Sequence, residues 1–242
     1  MSEALRAELL KTRSGSAMII MFGYAITLPG LLLYGGSSIG ELRPLDDHTA
    51  THAVFALAAS CTIAAMFLGS YIVTREYYYK SILRSMLMHG RSRVFLSKAT
   101  AAATGGALAG ALGTAVWLAG SWAVLRSQGR TFTPDPHIWQ SATGILLGSA
   151  LAGLWGAAIG WILRGYYVTT VVVMILPLTV ELPLLLNATA VEKWLPGGAL
   201  AGLAQVPVDG LLPVPASALV LAAWTSAATI VAGRLLRRRE TV

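Results

Sequence analysis

Six apolar stretches, at about 16–36, 50–74, 96–125, 138–163, 166–187 and 214–235, take up most of the chain. The hydrocarbon core of a bilayer is roughly 30 Å thick and takes about 20 apolar residues per helical crossing. Within it every backbone N–H and C=O must be paired by the protein itself, so runs of this length are expected to cross as helices. Composition agrees. The 242 residues are 55% hydrophobic and only 12% charged, and their mean hydropathy is +0.66, too little charge to cover a soluble fold of that size. The expectation is an all-α integral membrane protein, a single transmembrane domain over 1–242 with six transmembrane helices. The first stretch follows Arg6, Lys11 and Arg13 as a secretory signal would. It is longer than a signal's apolar core, lacks a small-residue cleavage site and precedes five more spans, so it reads as a retained anchor.

The placement of Lys and Arg sets the expected orientation. Six spans put both termini and the second and fourth loops on one side. That side carries fourteen of the 18 basic residues, including Arg75, Lys80, Arg84, Arg91, Arg93, Lys98 and Arg164. The other side has only Arg43, Arg126, Arg130 and Lys193. Both termini are therefore expected in the cytoplasm of a cell membrane, and the Ala/Gly/Leu/Arg-rich composition looks bacterial. The net charge of +7 lies beside the spans, which fits anionic lipid head groups and a cytoplasmic partner better than nucleic acid.

Motifs for chemistry are scarce. The sequence has no GxxxxGK[ST], no HExxH, no GxSxG and no paired-carboxylate motif inside a span. Neither enzymatic activity nor a metal is expected of the chain. Cys61 is its only cysteine and lies in an apolar span, as a buried thiol. His48 and His52, spaced i, i+4, read as solvated residues at the start of a span, although that spacing also suits a shared metal. Glu181, in "LPLTVELPLLL" between Pro177 and Pro183, is an acid at membrane depth. Such an acid is a candidate ion or substrate contact, or the watery end of a loosened helix.

Packing signals are clearer. Gly144, Gly148, Ala152, Gly156 and Gly160 recur every fourth residue along the fourth span, a stripe that lets helix backbones approach closely. Gly106, Gly110 and Gly113 form a shorter stripe in the third span, and mutual packing of these two helices is expected. Pro29 and Gly30 favour a kink in the first span. Trp122, Trp139, Trp161, Tyr166, Tyr167 and Trp194 fall near span ends, where aromatics anchor helices in the interface. The stretch "NATAVEKWLPGGALAGLAQVPVDGLLPVP" before the last span is too apolar for a free loop and too broken for a crossing. Short re-entrant outer helices are expected there, one over 198–205.

The segment "VTREYYYKSILRSMLMHGRSR" after the second span divides into faces when set on a helix over 75–90. Tyr79, Ile82, Leu83, Met86 and Leu87 share one side, Lys80 and Arg84 the other, and Glu76 is four residues from Lys80. Gly90 is a natural stop. The expected element is an amphipathic helix along the cytoplasmic membrane face.

Glu76, this amphipathic stretch, and then Arg91, Val94 and Lys98 together resemble the coupling region of ABC exporter permeases of the second type. Those proteins read like E-x-R-x-G-T, a polar patch, then R-x-x-V-x-x-x-K. "WLPGGALAGL" resembles the Leu-Pro element such permeases carry before their last span. Tyr77, Tyr78, Tyr79 and Lys80 depart from the family's arginine and Gly-Thr pair. The resemblance implies a homodimeric or heterodimeric permease that binds two copies of a separately encoded cytoplasmic ATPase. ATP and magnesium belong to that partner, with no cofactor in this chain. It further implies an N-terminal interfacial helix beginning at Ser2, Glu3 and Arg6. Arg75, Glu76, Tyr79, Lys80, Leu83, Arg84 and Leu87 would contact the ATPase. Phe22, Tyr24, Phe55, Met66, Phe67 and Glu181 would line a path for a hydrophobic or amphipathic cargo such as a drug, a peptide antibiotic or a lipid-linked molecule. Two other functions fit the same residues: a secondary transporter that uses Glu181 for ion coupling, and a non-transporting scaffold or sensor that recruits an ATPase.

Overall fold

The computed structural model describes residues 16–35 and 45–238. The interfacial helix expected from Ser2, Glu3 and Arg6 lies outside the described residues, as do Lys11, Arg13, Arg43 and Arg239. The described residues are helical, without strands. In chain order the elements are α1 (Ser16–Gly35), α2 (Asp47–Ala56), a 3₁₀ turn (Leu57–Ser60), α3 (Cys61–Tyr78), α4 (Ile82–His89), α5 (Arg91–Ser127), α6 (Pro136–Leu163) and α7 (Tyr166–Leu176). A π-helical turn (Pro177–Glu181), α8 (Leu182–Asn187), α9 (Thr189–Glu192), α10 (Pro196–Leu203) and α11 (Val214–Arg238) follow. Five continuous helical stretches among them are long and apolar enough to cross a membrane: Asp47–Tyr78, Arg91–Ser127, Pro136–Leu163, Tyr166–Asn187 and Val214–Arg238. The apolar helix within α1, Phe22–Gly35, is shorter. At 37 residues, α5 rises about 55 Å and outreaches the hydrocarbon core.

Local chemistry sets where the helices begin and break. Asp46 caps α2 by accepting from the Thr49 amide at 3.3 Å. Asp135 caps α6 by accepting from the Ile138 amide at 3.0 Å, and Pro136 occupies the first helical position, where its missing N–H costs nothing. Gly90 separates α4 from α5 with φ +81°, a backbone region that side chains with a Cβ rarely enter. The stretch Tyr166–Asn187 widens at Pro177–Glu181, where the Leu182 amide donates to the Pro177 carbonyl oxygen five residues back. The proline takes an amide out of the α-ladder, and the π turn absorbs the mismatch.

The α3 helix sits centrally, against α1, α5, α6 and α7. Glycines set how closely its neighbours approach, and α5 and α6 pack on each other as expected, though not through the stripe of α6. A Cβ at Gly156 would meet the Met66 carbonyl oxygen of α3 at 1.9 Å, and one at Gly160 the Ser70 carbonyl oxygen at 3.1 Å. Gly144 abuts the Leu203 carbonyl oxygen of α10, and Gly148 faces Leu200 and Thr62. The stripe therefore packs on α3 and α10 rather than on α5. The α5 glycines meet the other side of α6: Gly106 lies against Ser149 and Gly153, Gly110 against Ser149, while Gly113 faces Cys61 and Ala25. A stripe of small residues signals close approach without naming the partner.

The segment before the last long helix folds into α9 and α10, and nearly all of Pro196–Leu203 is buried. Trp122, Trp139, Tyr167 and Trp194 are exposed near helix ends, whereas Trp161 is buried in the core between Tyr77 and Phe95.

Candidate functional site

At the basic end of the bundle, the helix expected over 75–90 is two pieces. The α3 helix continues through Arg75 and Glu76 to Tyr78, Lys80 turns into the left-handed region with φ 53°, and α4 begins at Ile82. The interruption takes Glu76, Tyr79 and Lys80 off the wheel of α4, and within α4 itself the apolar face is only half covered. Ile82 and Met86 are buried in a cluster with Ile72, Val94 and Leu236, while Leu83 and Leu87 are 44% and 78% exposed on the same outward side as Arg84. Tyr79, Lys80, Arg91 and Arg93 are exposed beside them.

Glu76 does not reach out to Lys80. It is 6% exposed, and its Oε1 lies 3.2 Å from the Nζ of fully buried Lys98. Lys98 also donates to the Ile72 carbonyl oxygen at 3.0 Å. This buried ion pair fastens the end of α3 to the start of α5 and so frames α4. The three tyrosines separate. Tyr77 turns inward, its ring edge-on to Trp161 at 6.0 Å, with the Arg164 guanidinium 5.7 Å above it. Tyr78 meets Tyr166 and Tyr167 of α7 at 5.6 and 6.0 Å. Tyr79 touches Tyr78 and is otherwise open to the outside. The end of α3 is thus joined through aromatic rings to the start of α7.

The other end of the stretch Tyr166–Asn187 lines a cavity. About 160 Å³ in volume, it lies between α1, the α2–α3 junction, the π turn, α9 and α10, with Leu57, Met66, Leu178 and Leu200 among its apolar lining. Two carboxylates enter it, Glu181 from the π turn and Glu192 from the end of α9. They converge on Gly197, where an added Cβ would meet Glu181 Oε2 at 2.5 Å and Glu192 Oε1 at 2.8 Å. Glu192 is fully buried, and neither of its oxygens makes a hydrogen bond of ordinary geometry. Burial pushes its carboxyl up to about 7 and the charge of Glu181 adds to the effect, with the Gly198 amide opposing both. Such a site can hold a proton or a cation against apolar walls. In this conformation the cavity is smaller than a drug-sized ligand needs.

Of the residues expected along a cargo path, only Met66 and Glu181 come together here. Phe55 is buried in a separate cluster with Ala25, Leu33 and Trp117, and Tyr24 packs against that cluster. Phe67 lies in the core against Tyr71, with Phe22 at the edge of the same cluster. Sequence reasoning missed Glu192 and Gly197. The available signal was an acid inside a segment already too apolar for a loop.

At the bundle end opposite α4, His48 and His52 are not simply solvated: both approach Asp135. Close by, Asp47 pairs with Arg130 at 3.3 Å and accepts a short hydrogen bond from the Thr131 hydroxyl.

Comparison with protein-family models gives no match, and comparison with curated proteins gives none either. What the chain itself carries is a multi-span helical architecture, a framed amphipathic helix at its basic end and a carboxylate-lined cavity toward the other.

Proposed function

We propose that the chain is the membrane permease subunit of an ATP-driven exporter of the ABC-2 type, acting in the cell membrane as a dimer with two cytoplasmic ATPase subunits. In this reading α1 is a sixth span and both termini are cytoplasmic. The observation that carries the proposal is α4. It is a short helix anchored by Ile82 and Met86 and framed by the buried Glu76–Lys98 pair, and it presents Leu83, Arg84 and Leu87 outward. An exposed apolar and basic face on a rigidly held helix suits docking into a cleft of a soluble partner.

ATP binding on the partner would push α4 and the end of α3. Tyr78 passes that displacement to Tyr166 and Tyr167 at the start of α7, and the π turn at Pro177–Glu181 is where the fifth crossing has the most freedom to bend. Cargo affinity must differ between the two states for ATP to drive transport. A cavity of mainly aliphatic lining with two carboxylates favours hydrophobic or amphipathic cargo once it opens.

Charge reversal at Lys80 and Arg84 tests the proposal, because both side chains are exposed and the fold does not rest on them. ATP hydrolysis should lose its dependence on cargo while membrane insertion is unchanged. Cargo-stimulated hydrolysis at the wild-type level would count against α4 as the coupling element.

The paired carboxylates favour a second reading, ion-coupled transport through Glu181 with Glu192 as its proton-sharing neighbour. Flux driven by an ion gradient without any ATPase, abolished by Glu181→Gln, distinguishes it.

A further inference from the structure

Two helix starts meet at the bundle end opposite α4. In the first turns of α2, His48 and His52 lie four residues apart on one face, with ring centroids 4.7 Å apart. Both direct Nε2 at the carboxylate that caps α6: His48 Nε2 is 2.8 Å from Asp135 Oδ2, and His52 Nε2 is 3.1 Å from Asp135 Oδ1. One ligand atom from each of the three residues lies within 4.8 Å of the others. A tetrahedral zinc ion with bonds of about 2.0–2.1 Å holds neighbouring donors roughly 3.3 Å apart, within the range these atoms already span.

Two further features point to a ligand. The Ile138 amide donates to Asp135 Oδ1, orienting the carboxylate as outer-shell hydrogen bonds orient metal ligands. A cavity of about 540 Å³ opens beside the imidazoles, lined also by His137 and Gln205. It has room for the waters that complete a three-ligand site, and the His137 ring stands 6.1 Å from that of His52.

We propose that His48, His52 and Asp135 form a binding site for a divalent cation of the zinc class, which clips the start of α2 to the start of α6. Two imidazoles and one carboxylate suit zinc, cobalt, nickel or copper, whereas magnesium and calcium require oxygen donors. The carboxylate neutralises half of the ion's charge, and no proton need be lost from a thiol. None of the three residues belongs to α4 or lines the Glu181–Glu192 cavity, so the site stands whether or not the chain is a permease.

The test is titration of the full-length protein, purified in detergent with any affinity tag removed, with Co²⁺ and with Zn²⁺ near neutral pH. One ion per chain should bind with a micromolar Kd, Co²⁺ should give a visible spectrum that Zn²⁺ abolishes, and bound metal should raise the unfolding temperature. Asp135→Asn preserves the helix cap, since Asn caps as well as Asp, and removes the anionic ligand. It should keep the metal-free unfolding temperature near wild type yet weaken Zn²⁺ binding by roughly 10–100-fold or more, as should His52→Ala. Wild-type binding no tighter than millimolar, or micromolar binding retained by both variants, overturns the site.

Discussion

Lys98, fully buried near the start of α5, stands 3.2 Å from Glu76 near the end of α3. Two charges taken out of water repay their desolvation only by holding each other, so losing one partner costs about 3–5 kcal/mol, while replacing both with apolar residues is often neutral. Lys98→Met and Glu76→Leu should each lower the thermal unfolding temperature in detergent markedly. The double variant Glu76→Leu/Lys98→Met should recover most of the loss. An additive double variant would mean that the two side chains act independently.

Close backbone contact makes the glycines of α6 unequal. At Gly156 and Gly144 a Cβ would fall 1.9 Å from a carbonyl oxygen, which cannot move without shifting a helix, whereas at Gly148 the nearest atom is the end of the flexible Leu200 side chain at 3.0 Å. Gly156→Ala and Gly144→Ala should sharply reduce the yield of monodisperse protein, Gly148→Ala should reduce it modestly, and Gly23→Ala, with open space around it, should leave it unchanged. Size-exclusion profiles of the four variants check the ranking.

Glu192 gives stability a pH dependence of unusual sign for an acid. Burial, with the charge of Glu181 adding to it, pushes its carboxyl up to about 7 from the ordinary 4.5. The folded state holds the proton more tightly than the unfolded state, so this contribution is fully present below about 4.5 and is lost as pH rises through about 7. Thermal unfolding in detergent should show stability falling across that window. Glu192→Gln, which keeps the shape without the charge, should flatten the profile.

Tyr78 links the end of α3 to α7 through two tyrosine rings, and aromatic pairs of this kind contribute about 0.5–1.5 kcal/mol each. If the chain couples to an ATPase as proposed, Tyr78→Ala should leave insertion and ATPase binding intact while cutting transport per ATP hydrolysed. Reconstituted flux and hydrolysis measured together give that ratio. Tyr79→Ala, which removes an exposed ring, should leave it near wild type.

The helices were legible because the bilayer demands long apolar runs, and the break at Gly90 because only glycine sits comfortably at its backbone angle. Glu76 and Lys98 both stood out in the sequence, yet helical spacing paired Glu76 with Lys80. That pairing requires an unbroken helix, and Lys80 leaves it. A partner 22 residues away across a turn has no local signature. Glu181 was visible as an isolated acid in a span, but its companion Glu192 is brought to Gly197 by the folding of α9 and α10, which no periodicity in that broken segment encodes. His48 and His52 were likewise visible as a pair, and Asp135 joins them only once the starts of α2 and α6 come together.

The most direct test of an exporter subunit is cross-linking from the exposed face of α4. A photoreactive residue in place of Leu87, which is 78% exposed, would be activated in native membranes and its adducts identified by mass spectrometry. A cytoplasmic nucleotide-binding subunit with phosphate-loop motifs is the expected adduct, and one at Leu31, exposed in the first helix within the apolar region, should not capture it. Adducts with lipid alone at both positions would contradict a coupling role for α4 and, with it, the assignment of the chain to an ATP-driven exporter.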